Sequence, residues 1–274
     1  MQSPLIRMVL LLSHLLAASG ACAEKLPIPG IVGQDDRLIL DSWDYPWSAI
    51  GRLNFTTGGF CTATVIAPRR VLTAAHCLWN RRTARWYPPC ALHFLAGYRR
   101  SDFKVHALVS HIQIAPGYHG KAPRPELDWA ILTLDRDVSD LTGVIPFAGR
   151  AVKDGDRLLQ AGYSRDRRHL LTTDRSCQVR TIGAAGKLLL HDCDATFGDS
   201  GSPLLLADKK GDYRVAAVHI AMQVRNKKTL GVGVAAKPAE AWIETHPVTQ
   251  PLGGVKACEL SPGRSQEIAA STLP

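Results

Sequence analysis

Three residues in separate parts of the chain have the types needed to hydrolyse an amide together. Ser200 stands in Gly198-Asp199-Ser200-Gly201-Ser202-Pro203, His76 ends the run Thr73-Ala74-Ala75-His76-Cys77, and Asp128 opens Asp128-Trp129-Ala130-Ile131-Leu132. A serine hydroxyl is a weak nucleophile until a neutral imidazole takes its proton, and a buried carboxylate must hold that imidazole in one tautomer. Glycines on both sides of Ser200 allow a sharp turn and close approach of a substrate carbonyl. The N–H groups of Gly198 and Ser200 are therefore the expected oxyanion donors. A carboxylate carried into an apolar strand, as Asp128 would be, needs a partner such as an imidazole N–H. Each piece also has a plainer reading. Gly/Ser turns between strands are frequent, nine other histidines are present, and Asp135, Asp137 and Asp140 lie close by, although these follow the apolar run instead of starting it.

Taken together, the segments resemble the chymotrypsin/trypsin-like serine protease family. The serine and histidine runs match its G-D-S-G-[GS]-P and T-A-A-H-C motifs in full, and the aspartate run is similar to D-[IVL]-A-[LIV]-[LIV], with Trp129 bulkier than usual. The order His, Asp, Ser, with gaps of 52 and 72 residues, is that of this family; subtilisins and α/β-hydrolases use other orders. Residues 198–202 also lack the final glycine of a nucleophile elbow, which disfavours an esterase or lipase. Ile31-Val32-Gly33, Tyr45-Pro46-Trp47-Ser48, His191-Asp192-Cys193-Asp194 and Ala217-Val218-His219 resemble the bacterial glutamyl-endopeptidase-like branch. The likeness runs from about Ile31 to His246. It implies an all-β fold of two six-stranded antiparallel β-barrels with the site in the cleft between them and a short C-terminal helix. It further implies a triad of His76, Asp128 and Ser200, peptide-bond hydrolysis through an acyl-enzyme, protein or peptide substrates, and no cofactor. A catalytically silent homologue that binds a partner through its cleft is the alternative; loss of a triad residue would mark it, and none is lost.

The same resemblance assigns substrate contacts to Asp194, Ala195 and His219. Asp194 lies six residues before Ser200, where trypsins carry the Asp that binds Lys or Arg. Glutamyl endopeptidases place a Thr beside that Asp and a His matching His219. Here Ala195 replaces the Thr, and Met222 replaces a Gly frequent on the pocket wall, so a basic and an acidic preference both stay open. Ile31-Val32-Gly33 looks like a new amino terminus whose amine would pair with Asp199. Gly30 precedes it, so trypsin would not make the cut, and residues 24–30 are read as a propeptide removed by another protease. Cys77 is expected to pair with Cys61 beside His76.

The elements that must position these residues are short apolar runs between turns, the pattern of a β-barrel or sandwich. Expected strands cover 47–54, 60–66, 92–98, 103–114 and 129–134, then 157–163, 176–182, 187–192, 202–207, 213–221 and 230–236. Residues 137–148 have little periodicity and read as a linker, which divides the chain into an N-terminal barrel over 31–140 and a C-terminal barrel with its helix over 141–247. Only 238–245 reads as a helix, with proline at its start. Residues 248–274, rich in Pro, Gly and Ser, read as a flexible tail.

Residues 1–23 have the parts of a signal peptide: Arg7, a mostly apolar run over 8–18, and Ala21-Cys22-Ala23. That run is too short to span a bilayer, and no later stretch reaches about 18 apolar residues. A secreted protein, periplasmic or extracellular, without stable membrane insertion is expected. Of seven cysteines, six remain after residue 23, which suits an oxidising compartment. Cys61 and Cys77 lie 16 positions apart, as do Cys177 and Cys193, and a disulfide closing such a loop contributes roughly 3 kcal/mol. Cys90 and Cys258 are left, their pairing open. No C-x-x-C or H-E-x-x-H spacing occurs, so no metal is expected. The net charge of +9 is spread along the chain with no nucleic-acid motif. It reads as solubility, and the chain is expected to be a monomer acting without nucleic acid.

Overall fold

The computed structural model describes residues 28–225 and 228–247. The expected signal peptide, residues 24–27 of the expected propeptide, the tail 248–274 and Cys258 lie outside the described residues. In chain order the first strands are β1 (Leu38–Leu40), β2 (Ile50–Phe55), β3 (Phe60–Ala67), β4 (Arg70–Thr73), the short β5 (Trp79–Asn80) and β6 (Arg85–Trp86), β7 (Leu92–Ala96), β8 (Val105–Ile114) and β9 (Ala130–Leu134). Strands β2-β3-β4-β9-β8-β7 close, in that order, into a six-stranded barrel with antiparallel pairing throughout. Alternation builds it: in β7, Leu92, Phe94 and Ala96 are fully buried while His93 and Leu95 turn outward. Leu53, Leu72, Ile131 and Leu132 fill the same interior, and each such side chain stabilises the fold by about 1.5–3 kcal/mol.

The second half contains β10 (Leu159–Gly162), β11 (Leu171–Asp174), β12 (Val179–Gly183), β13 (Leu188–His191), β14 (Pro203–Ala207), β15 (Tyr213–Arg225) and β16 (Lys228–Ala235). They form a sheet with order β1-β11-β10-β14-β15-β16-β13-β12. β11 and β12 behave as one bent strand. It pairs with β10 at Gln160↔Asp174 and again, past the bend, through the bridge Arg157↔Gln178 and the bond from Leu158 N–H to the Cys177 carbonyl. Six strands thereby complete a second ring, and β1, contributed by the N-terminal arm, is an addition on β11.

The rings meet at Tyr163, which is wholly buried; its hydroxyl donates to the Tyr98 carbonyl at 2.8 Å and its N–H to Thr62 Oγ1 at 3.0 Å. The segment expected as a linker holds one helical turn, Ser139–Thr142. A terminal helix, Lys237–Thr245, starts with Pro238 in its first turn. It returns to the first barrel, where the Arg70 guanidinium lies 5.6 Å from the Trp242 ring and donates to the His246 carbonyl. Among the described residues no helix is long and apolar enough to cross a membrane.

Candidate active site

β4 ends at Thr73, and a short turn, Ala75–Leu78, carries His76 out to the barrel rim. Ala74 and Ala75 are fully buried; larger side chains would push the imidazole off the rim. Asp128 arrives from the opposite direction, set just before β9 by the turn Pro125–Leu127 and only 6% exposed. Its Oδ2 lies 2.7 Å from His76 Nδ1, and its Oδ1 accepts the His76 backbone N–H at 2.8 Å. A carboxylate on Nδ1 places the imidazole proton there and leaves Nε2 free to act as a base. Tyr118 sits beside Asp128; burial, then that carboxylate's charge, holds its phenol above the ordinary tyrosine range. Trp129, the unusually bulky residue, is buried, with no partner for its indole N–H among the described residues.

The Ser200 turn is docked on the first barrel by backbone bonds. Thr62 donates its N–H to the Ser200 carbonyl at 2.9 Å and its hydroxyl to the Gly198 carbonyl at 3.1 Å. Gly201 has φ +86°, and a Cβ there would come within 2.2 Å of the Thr62 carbonyl oxygen, so this position admits only glycine. The Cys77 sulfur lies 3.9 Å from His76 Nε2 and 3.8 Å from the Ser200 carbonyl, which brings the histidine and serine runs to one spot between the rings. Among the described residues no hydrogen bond joins Ser200 Oγ to His76 Nε2; such bonds are commonly long until substrate binds. The N–H groups of Gly198 and Ser200 have no protein acceptor among the described residues. A cleft of about 580 Å³, lined by His76, Tyr118, Asp128, Ile220 and Met222 among others, adjoins the couple.

Asp199 and Ile31 are not brought together. Asp199 is fully buried and accepts from Ser164 Oγ and Thr196 N–H, both at 2.7 Å, and from Gln160 Nε2 at 3.3 Å. Burial pushes its carboxyl up to about 6 in spite of these donors. The Ile31 N–H is turned to the Ile28 carbonyl at 3.2 Å. The neighbouring cation is Arg37, whose buried guanidinium pairs with Asp35 at 2.9 Å and Asp166 at 2.7 Å, while Asp166 in turn accepts from Thr196 Oγ1.

Asp194 is 2% exposed and covered by the N-terminal segment. Its Oδ1 accepts the Val32 N–H at 2.6 Å, the Ala195 N–H donates to the Gly30 carbonyl at 3.1 Å, and a Cβ on Gly30 would lie 1.9 Å from both the Ala195 oxygen and Met222 Sδ. Gly30 therefore fills the gap between Ala195 and Met222. Nothing in the sequence pointed to this. His219 is buried beside His191, with Nδ1 3.1 Å from His191 Nε2, and the Cys193 N–H donates to His191 Nδ1 at 3.2 Å. Burial pushes His191 down to about 3 and His219 well below the usual histidine value, so both are neutral. Donation from Cys193 puts the His191 proton on Nε2, which donates to His219 Nδ1 and leaves His219 Nε2–H as the last donor of the chain. His191 lies in one of the segments that resemble the glutamyl-endopeptidase-like branch, and only its packing distinguishes it.

Disulfides join Cys61 to Cys77 and Cys177 to Cys193, as expected, and Cys90 is also in disulfide form. No curated protein matches the chain. A solved structure of a Glu endopeptidase in complex with MPD is similar, with a TM-score of 0.66, 21% identity, and coverage of 78% of this chain and 97% of that one. At that identity the likeness speaks for the fold. The family model named Trypsin matches residues 40–243, a span that includes the His76–Asp128 couple and the Ser200 turn, and the chain belongs to the trypsin family of serine proteases.

Proposed function

We propose that the protein is an exported serine endopeptidase in which Ser200 attacks the scissile carbonyl, His76 Nε2 takes and returns the proton, and Asp128 fixes the imidazole. The N–H groups of Gly198 and Ser200 stabilise the oxyanion, and hydrolysis passes through an acyl-enzyme on Ser200. The observation that carries this reading is the double hold of Asp128 on His76 next to a Ser200 turn docked on the same barrel. Export is proposed from the signal features of residues 1–23.

The uncut chain is proposed to be a closed form. Gly30 occupies the gap between Ala195 and Met222, where the family's pattern puts the side chain preceding the scissile bond, so removal of residues up to Gly30 opens it. For that side chain we favour an acidic or amide acceptor, Glu first. The neutral His191–His219 chain ends on a donor, which suits a carboxylate or amide side chain and offers nothing to a cationic one. A peptide library scanned at this position, with wild type beside Ser200→Ala, tests both parts. Cleavage after Glu in wild type alone is expected. Cleavage after Lys or Arg refutes the preference, and equal cleavage by Ser200→Ala refutes the mechanism.

A further inference from the structure

Asp36, Asp174 and Asp194 come from three segments: the N-terminal arm, the end of β11 and the run before Ser200. Each offers a carboxylate oxygen, and the three oxygens lie within 4.8 Å of one another. Asp174 and Asp194 are 3% and 2% exposed, while Asp36 opens to solvent. Among the described residues no ion pair reaches any of them, and Asp194 Oδ2 is buried with no hydrogen-bond partner. The basic side chains nearest in sequence are engaged elsewhere: Arg37 pairs with Asp35 and Asp166, and Arg175 lies over the Trp47 ring at 5.4 Å.

Backbone and hydroxyl donors orient the carboxylates without neutralising them. Asp174 accepts from the N–H groups of Ser176 and Asp194, both at 2.8 Å, Asp36 accepts from Ser176 Oγ at 2.8 Å, and Asp194 Oδ1 accepts from Val32. The Ser176 hydroxyl also lies 3.1 Å from Asp174 Oδ1, whereas Asp194 Oδ2 accepts no hydrogen bond and keeps its lone pairs. Concentrating three negative charges, two of them buried, costs free energy that a proton on one carboxyl or a cation on all three would recover, and at neutral pH the cation is the one that leaves every carboxylate ionised.

We propose that Asp36, Asp174 and Asp194 form a Ca²⁺ site that clamps the N-terminal arm onto the wall of the substrate pocket. Ca²⁺ takes oxygen ligands at about 2.3–2.6 Å, so ligands across the ion stand roughly 5 Å apart, and the exposed side at Asp36 admits the waters that complete its coordination. Mg²⁺ requires a tighter octahedron, and Zn²⁺ favours nitrogen and sulfur. Burial, with the charges of Asp174 and Asp36, pushes the Asp194 carboxyl up to about 6, a shift that a bound cation reverses. Ion binding rests on the carboxylate cluster and the unpartnered Asp194 Oδ2, and only the description of the adjoining wall as a substrate pocket rests on the protease reading.

The test uses Ser200→Ala protein, stripped with a chelator and titrated with CaCl₂ by calorimetry, with thermal melts alongside. One Ca²⁺ per chain is expected, with a Kd of about 10⁻⁴–10⁻³ M, a rise in Tm on binding, and weaker binding of Mg²⁺. Asp36→Asn, at an exposed position where folding is not at stake, should weaken Ca²⁺ binding by about tenfold or more, and Asp174→Asn should do the same. Absence of saturable binding up to about 10 mM Ca²⁺, or wild-type affinity in both variants, overturns the proposal.

Discussion

Asp128 holds His76 at two points, with one carboxylate oxygen on the ring Nδ1 and the other on the backbone N–H. The ring contact sets the tautomer and the backbone contact sets where the ring stands. Replacing the carboxylate by an amide keeps the shape and disturbs the tautomer. Asp128→Asn should therefore lower kcat by about 10⁴-fold with little change in KM. Steady-state kinetics on one good peptide substrate checks this; a tenfold loss or less would remove Asp128 from the triad.

The N-terminal segment offers a second prediction, of unusual sign. Gly30 has φ +97°, and any side chain there would meet the Ala195 oxygen and Met222 Sδ at 1.9 Å. Gly30→Leu should drive the segment out of the gap and make the uncut chain more active than the uncut wild type. Initial rates on chains verified as uncut by intact mass are the measurement. Equal or lower activity in Gly30→Leu contradicts a closed uncut form.

The buried histidines predict a pH dependence. His191 is held at about 3, against 6.5 for an exposed histidine. Between those values the unfolded chain takes up a proton that the folded chain refuses, so stability falls as pH drops from about 6.5 toward 3, and His219 acts in the same direction. Asp194 and Asp199, both raised from 3.8 to about 6, act oppositely: their contribution declines as pH rises through that interval. Urea midpoints measured from pH 6.5 to pH 4 should drop less for His191→Gln than for wild type. Parallel curves would contradict the assignment.

Much of the fold and the core of the site were legible because they depend on local pattern. The apolar runs gave most barrel strands to within a few residues, for example 103–114 against Val105–Ile114, and the proline-led helix expected at 238–245 is Lys237–Thr245. β1, β4, β5, β6 and β11 lie outside the expected strands; they are two to four residues long, and pairing with other strands decides them more than their own periodicity does. The expected strand at 176–182 starts late because residues 175–178 form the bend between β11 and β12. The three motifs single out His76, Asp128 and Ser200 as the candidate triad since each has particular neighbours: small residues before the histidine, glycines about the serine, an apolar strand after the aspartate. Tyr118, the His191–His219 chain and the Gly30 plug join residues far apart in sequence, and no local pattern announces such contacts. The Asp36–Asp174–Asp194 cluster was hidden for the same reason, since oxygen-rich cation sites assembled from separate segments lack a ligand spacing.

The central claim, that Ser200 is a nucleophile activated by the His76–Asp128 couple, is tested most directly by a fluorophosphonate probe read out by intact mass and peptide mapping. A single adduct on Ser200 of wild type, absent from Ser200→Ala and strongly slowed in Asp128→Asn, is expected. No adduct on protein processed to begin at Ile31, or an adduct on another residue that survives in Ser200→Ala, would contradict it.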